Sequence, residues 1–238
     1  MKIEYFEELV STNDTARAAA REGASALYTV AAKSQTGGRG RMGRSFLSPV
    51  GGTYFSTVLR PTLDRTSYGT ITPYAALAVH RAVKELMSLS LEIKWINDLL
   101  LRGKKVCGIL AESGEDNKGD PFVILGIGIN TGSDPLPAEL AEIATTLPFS
   151  DRERLITRTL YHLSQMETEL ASGAWLEEYR KSLCMLRKRI LVIKGEEKKT
   201  AVALDVSAEG GLLVRYPDGK QELLTGGEIS IRPDPTKM

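Results

Sequence analysis

Gln35-Thr-Gly-Gly-Arg-Gly-Arg-Met-Gly-Arg44 sets four glycines around Arg39, Arg41 and Arg44, directly after the apolar, partly β-branched run 27–32. That run predicts a strand, so the glycines and arginines form a loop leaving a strand end. Glycine frees the main-chain torsions and lets backbone N–H groups come close to a ligand, and each guanidinium adds a permanent charge with a planar fork of donors. No acid lies between Glu22 and Asp64, so the local charge is positive although the chain carries a formal net charge of +1. Three readings stay open on these residues alone: a loop that wraps an anion, a solvated basic loop, and an RNA-contacting segment. A Walker phosphate loop is excluded, because that motif needs Gly-Lys-Ser/Thr opening a helix. Here Ser45-Phe-Leu-Ser-Pro49 leads on to another strand.

Upstream of the loop, residues 3–6 have strand composition, and Ser11-Thr-Asn-Asp14 supplies N-cap chemistry for an Ala-rich helix that Gly23 ends. Downstream, residues 53–59 read as a strand closed by Pro61. Ala76, Leu77, Val79, Val83 and Leu86 then make an apolar stripe at helical spacing, predicting a core helix over about 73–87. A meander follows: strand 91–96, a turn at Asn97-Asp98, a tight hairpin at Arg102-Gly103-Lys104, strand 105–112, and an apolar strand 122–129 ending at Asn130. Its short connections imply antiparallel neighbours. Residues 138–181 read as helical. Beyond Arg187 five short strands, 190–193, 200–206, 212–216, 221–224 and 229–231, alternate with glycine turns and predict a small β-barrel. The expected fold is α+β, a mixed, mainly antiparallel sheet with helices over residues 1–186 and a β-barrel over 187–238.

Composition removes several function classes. The chain has 42% hydrophobic residues and is near neutral, so it offers no general attraction for nucleic acid or an anionic membrane. The acidic start Met-Lys-Ile-Glu-Tyr-Phe-Glu-Glu lacks the apolar run of a signal peptide, and no later stretch is apolar for long enough to span a bilayer. A cytoplasmic protein with no membrane partner is expected. Cys107 and Cys184 lie far apart without a CxxC or Cys/His cluster, which argues against a disulfide framework or structural zinc.

Three further constellations carry chemistry. Lys94-Trp-Ile-Asn-Asp98, followed by Lys104-Lys-Val-Cys-Gly-Ile-Leu110, places polar groups at a strand end, where both turn chemistry and a cleft are open readings. Ser11-Thr12-Asn13 serves helix capping, ligand contact or both. Gly126-Ile-Gly-Ile-Asn130 puts glycines inside an apolar strand, where close approach of a ligand or another backbone explains them best. Taken in order with the loop, with Ser48-Pro49 and with Gly226-Gly-Glu-Ile-Ser230, these segments resemble the biotin protein ligase family, also called biotin–[acetyl-CoA-carboxylase] ligases, over nearly the whole chain.

The resemblance implies a class II synthetase-like catalytic domain and an SH3-like C-terminal barrel. It also implies an ATP- and Mg²⁺-dependent enzyme that activates biotin as biotinyl-5′-AMP and transfers it to a lysine of a biotin carboxyl carrier domain. On that basis Ser11, Thr12, Asn13 and Gln35 bind the biotin head, and Gly38, Arg39, Gly40 and Arg41 close over it. Lys105 holds the reacting carboxylate, with Arg39 and Arg41 as further catalytic groups, and Gly108 lets the strand lie close to the ligand. Arg44, Phe46, Asn97, Asp98 and Asn130 serve the nucleotide, and the metal ligands are unassigned. The family usually has Pro at Ile96 and often Trp at Phe46. The chain starts at the catalytic domain, so DNA binding through a winged helix is not expected, while monomer and sheet-edge homodimer both stay open. A lipoyl or octanoyl acyltransferase, with Cys107 as thiol nucleophile, is the nearest alternative. A non-catalytic nucleotide or nucleic-acid binder is the other.

Overall fold

Strand β1 (Lys2–Leu9), helix α1 (Thr12–Arg21) and strand β2 (Tyr28–Gln35) form a parallel crossover in the computed structural model, which describes residues 1–132, 136–226 and 229–233. Parallel strands need such a connection, because a tight turn can only reverse the chain. Strand β3 (Thr53–Leu59) then runs antiparallel to β2, and helix α2 (Ile71–Met87) crosses behind the sheet. Three antiparallel strands follow the meander: β4 (Glu92–Lys94), β5 (Asp98–Leu101) and β6 (Lys104–Glu115). Strand β7 (Pro121–Ile129) inserts between β3 and β6, giving the order β1-β2-β3-β7-β6-β5-β4. Arg102 and Gly103, both at positive φ, make the two-residue hairpin that the sequence predicts between β5 and β6.

The sheet is buried on both faces by different partners. Val123, Leu125, Ile127 and Ile129 of β7 join the large core with α2, whose residues are buried nearly all round rather than along one stripe. On the other face Phe122 and Ile124 pack with Ala16 and Ala20 of α1 and with Val30 and Val58. Strand alternation carries this second face on to Gly126 and Gly128. Side chains therefore stop where the N-terminus of α1 begins, and a cleft opens over bare strand backbone.

Residues 138–181 depart from the expected continuous helical pattern. Three short helices, α3 (Arg152–Leu163), α4 (Met166–Ser172) and α5 (Trp175–Ser182), begin only after Pro148, and the preceding stretch is largely irregular. Ala144 and Leu147 make isolated bridges to Lys105 and Thr131, and Leu147 is fully buried, so tertiary pairing overrides helical propensity there. Strands β8 (Arg189–Lys194), β9 (Glu197–Val206), β10 (Leu212–Arg215), β11 (Gln221–Leu224) and β12 (Ile229–Pro233) form the antiparallel C-terminal sheet, in the order β11-β10-β9-β8-β12. Of the segment 226–230 singled out in the sequence, Gly227 and Glu228 lie outside the described residues.

The two sheets meet through specific contacts. Trp95 donates its indole N–H to the Gly210 carbonyl at 2.9 Å, and Arg180 of α5 donates to Asp205 at 2.8 Å. Gly210 has φ +78°, and a Cβ there would come within 2.9 Å of Pro73, so glycine is required at this contact. Among the described residues no helix is long and apolar enough to cross a membrane.

Candidate active site

The cleft over the bare part of β6 and β7 has a volume of about 160 Å³ and gathers residues from five separate segments. Its floor at one end is polar. Ser11 occupies the N-cap position of α1 without a side-chain capping bond, and its side chain lines the cleft instead. Thr12 donates its backbone N–H and its hydroxyl to Gln35 Oε1, at 2.8 and 3.0 Å. Gln35 in turn donates Nε2 to Ser48 Oγ at 2.9 Å. The Ser56 hydroxyl lies 2.6 Å from Asn13 Oδ1 and 2.7 Å from Thr12 Oγ1, both buried. One hydroxyl proton serves only one of two such acceptors, so this floor has acceptor capacity to spare. A ligand presenting N–H donors matches it.

Two cations converge at the opposite end. Lys105 Nζ pairs with Asp98 Oδ1 at 2.7 Å, with Lys94 on the other carboxylate oxygen at 3.7 Å. Arg41 donates Nη1 to Asn97 Oδ1 at 3.0 Å, and Asn97 is itself tied to the Ile109 carbonyl by Nδ2 at 3.3 Å. Burial pulls the Arg41 guanidinium below its ordinary range, with Asp98 opposing, but leaves it a cation. Lys105 reaches this position through a bulge: Leu99 pairs with Cys107 while Leu100 pairs with Lys105, so Val106 is an extra residue in β6. Simple alternation would have put Lys105 on the core face with Cys107. The bulge turns it to the cleft face beside Gly108.

The glycines are filled by the chain itself. A Cβ on Gly126 would sit 2.1 Å from Asn13 Oδ1, and one on Gly128 would sit 2.5 Å from the Phe46 ring. Gly108 is paired with Gly128, and a Cβ there would meet both Phe46 at 3.0 Å and Lys105 Nζ at 3.1 Å. Close approach explains these glycines, but the approaching groups are the side chains of Asn13, Phe46 and Lys105 rather than the ligand or backbone that the sequence suggests. Phe46 also lies under the Lys105 ammonium, 5.7 Å from the ring centroid.

The expected site residues do not all behave alike. Ser11, Thr12, Asn13, Gln35, Arg39, Gly40, Arg41, Arg44, Phe46, Asn97, Asp98, Lys105 and Gly108 all line the cleft. Gly38 lies behind it, where a Cβ would strike the Phe46 carbonyl at 2.4 Å. Asn130 is set apart as well, its Nδ2 donating to the Thr145 carbonyl at 3.3 Å. The loop is less positive than its sequence implies, because acids arrive from elsewhere. Arg39 makes a two-pronged pair with Asp14 at 2.6 and 2.7 Å, which raises the guanidinium and lowers the carboxyl. Sequence reading assigns no site role to Ser56 or Glu112, and offers Asp14 only as part of a helix cap and Ser48 only as part of the family pattern. A serine among Tyr54, Phe55 and Val58 and an acid alternating with Gly108 and Leu110 were the available signals.

Cys107 lies on the core face, fully buried, and burial pushes its thiol well above the ordinary range. Such a thiol is not a nucleophile. Cys107→Ala is expected to lower stability by about 1 kcal/mol and to leave turnover intact, as thermal melts and an activity assay would show. Loss of turnover in a folded variant would restore the thiol alternative.

The cleft is thus floored by the sheet, rich in acceptors at one end and cationic at the other. The chain belongs to the biotin/lipoate A/B protein ligase family, whose model matches residues 6–130, and residues 188–232 match the biotin protein ligase C-terminal domain. It is 31% identical over 217 residues to the biotin–[acetyl-CoA-carboxylase] ligase of Paracoccus denitrificans, covering 84% of this chain and 88% of that one. It is 39% identical over 154 residues to the bifunctional ligase/repressor BirA of Bacillus subtilis, a match that spans 63% of this chain and only 47% of that relative. The biotin protein ligase from Aquifex aeolicus in complex with biotin and ATP superposes with a TM-score of 0.85 at 28% identity, covering 98% of this chain and 99% of the other.

Proposed function

We propose that this chain is an ATP-dependent ligase that activates biotin as biotinyl-5′-AMP and passes it to a lysine of a biotin carboxyl carrier domain. The observation that carries the reading is the pairing of Lys105 and Arg41, each clamped by an adjacent polar residue, at one end of a cleft whose other end accepts N–H donors. Biotin offers complementary ends, a cyclic urea with two N–H groups and a carboxylate. The matched family and the Aquifex aeolicus complex with biotin and ATP support the same reading.

In the first step a carboxylate oxygen bonds to the α-phosphorus and the bond to pyrophosphate breaks. Lys105 and Arg41 hold the two negative groups together and stabilise the charge that builds on the phosphoryl oxygens. In the second step an acceptor amine bonds to the carbonyl carbon and AMP leaves, and the same cations stabilise the departing phosphate. Asp98 and Asn97 act on the chain's own cations, fixing Lys105 and Arg41 before substrate arrives. Arg44, exposed at the loop's end, is placed to meet further phosphate charge.

The donor set builds no metal cage. Among the described residues no three His, Cys, Asp or Glu side chains come together, and Asp98 is already paired with Lys105. Mg²⁺ bound with the nucleotide would supply charge neutralisation at its phosphates, beside the cations Lys105 and Arg41. We read residues 1–186 as the catalytic unit and 187–238 as an accessory β unit that buttresses Trp95 in the cleft wall. An ATP-dependent reaction and two free thiols fit a cytoplasmic setting. The deciding experiment is incubation with biotin, Mg-ATP and a carrier domain, read by acceptor mass. Addition of one biotin to one lysine is expected, and an unmodified acceptor together with no pyrophosphate release would overturn the assignment.

A further inference from the structure

Glu112 on β6 has no assigned role, yet three groups from two segments, α1 and the glycine loop, meet on its carboxylate. Asn13 donates Nδ2 to Glu112 Oε2 at 2.7 Å, Arg17 lies 3.2 Å away, and Arg39 of the glycine loop lies 3.8 Å away. Asn13 and Arg17 are four residues apart on α1, so both project from one helix face toward β6. A carboxylate only accepts hydrogen bonds, whereas a carboxamide has a donor end and an acceptor end that exchange on a flip. Facing Glu112, Asn13 has one favourable orientation: Nδ2 toward the acid, and Oδ1 toward Ser56 and over Gly126 in the cleft floor.

We propose that Glu112 is a positioning residue which fixes the cleft floor as a hydrogen-bond acceptor, and so sets the site's preference for a ligand bearing N–H groups. The ligand part rests on the biotin reading above, and the orientation of Asn13 rests on geometry alone. Removing the acid leaves Asn13 free to turn a donor into the floor. Recognition of an N–H group then weakens, while Lys105 and Arg41 at the far end stay as they were.

The test compares wild type with Glu112→Leu and the near-isosteric Glu112→Gln, the latter deciding if the former does not fold. Initial rates of pyrophosphate release are measured with biotin and with the two cyclic carbamate analogues, each replacing one ureido N–H by oxygen. Wild type is expected to prefer biotin over at least one carbamate. Glu112→Leu is expected to raise KM for biotin about tenfold, to change kcat little and to lose about tenfold of that preference. Glu112→Gln, whose carboxamide oxygen still accepts from Asn13 in one of its two orientations, is expected to change KM and preference by about threefold each. A proportional fall for biotin and carbamates, with the preference unchanged, would show mere structural support and overturn the proposal. Independently, the side-chain amide signals of Asn13 in the ¹⁵N-labelled full chain are expected to include one proton shifted downfield by the carboxylate, lost in both variants. An unchanged Asn13 signal would overturn the proposal without any turnover being needed. Failure of wild type to release pyrophosphate with biotin would instead strike the biotin reading, and the Asn13 signal would still decide the role of Glu112.

Discussion

Lys105→Ala is expected to slow adenylate formation by about 100- to 1,000-fold, or about 3–4 kcal/mol of barrier, while the protein stays folded. The size follows from where the ammonium stands. It is the cation paired with Asp98 at 2.7 Å, with an aromatic face beneath it, and Lys94 lies 3.7 Å from the other oxygen of the same carboxylate. In the variant Asp98 keeps Lys94 as partner, so the fold loses a partly exposed pair that is worth little to stability. A carboxylate brought up to the cleft then meets Asp98 balanced only by Lys94, at 3.7 Å. Lys105→Arg is not expected to rescue, because Nζ and Cε already crowd Gly108 within 3.2 Å of where a Cβ would stand. Pyrophosphate release at saturating biotin and ATP is the measurement, with a thermal melt as control. A folded Lys105→Ala chain that turns over at near the normal rate would remove Lys105 from the mechanism.

The reach of Lys105 also marks where sequence ceases to be legible. Strands, hairpin turns and the C-terminal β unit follow from local signals: the Arg102-Gly103 turn, the apolar run of β7, and the glycine punctuation after Arg187. The bulge at Val106 has no such signal, since it depends on what pairs with β6 across space. Without it alternation assigns Lys105 to the wrong face. The same limit applies to charge. Residues 23–63 contain no acid, so the loop reads as strongly positive, but Asp14 and Glu112 come from α1 and β6 to meet Arg39. Tertiary partners likewise explain the 141–150 stretch, where bridges to Lys105 and Thr131 replace the expected helix. Most of the cleft residues were legible because their chemistry is unusual for their position: polar groups at a helix start, glycines in an apolar strand, and a lysine ahead of a glycine. Asn130 shared that signature, and its side-chain amide donates to the Thr145 carbonyl at 3.3 Å.

Gly126→Ala should be nearly as damaging to ligand binding as loss of Lys105 is to chemistry, though it adds a single methyl group. That methyl would stand 2.1 Å from Asn13 Oδ1 and 2.9 Å from Asn13 Cγ, well inside contact distance. Strand β7 cannot yield, since it is hydrogen-bonded to β3 on one side and to β6 on the other, with Gly126 paired to Ser56 and Leu110. Asn13 must move instead, and it is held by Glu112 and Ser56 and anchored on α1. Displacing it breaks both bonds and disturbs the Ser56–Thr12–Gln35 chain that forms the rest of the floor. Overpacking of this kind costs about 1–3 kcal/mol. Spent on the head-group site, that corresponds to about a 5- to 150-fold weaker biotin affinity. Calorimetry with biotin on the folded variant measures it, and Gly128→Ala supplies the contrast. There the new methyl meets the Phe46 ring at 2.5 Å rather than the floor, so the damage should fall on the Lys105 end. The two glycines lie two residues apart on one face of one strand, and they should separate binding of the head from reaction of the carboxylate. Equal biotin affinity in wild type and Gly126→Ala would mean that the floor built by Asn13 is not where the ligand head sits.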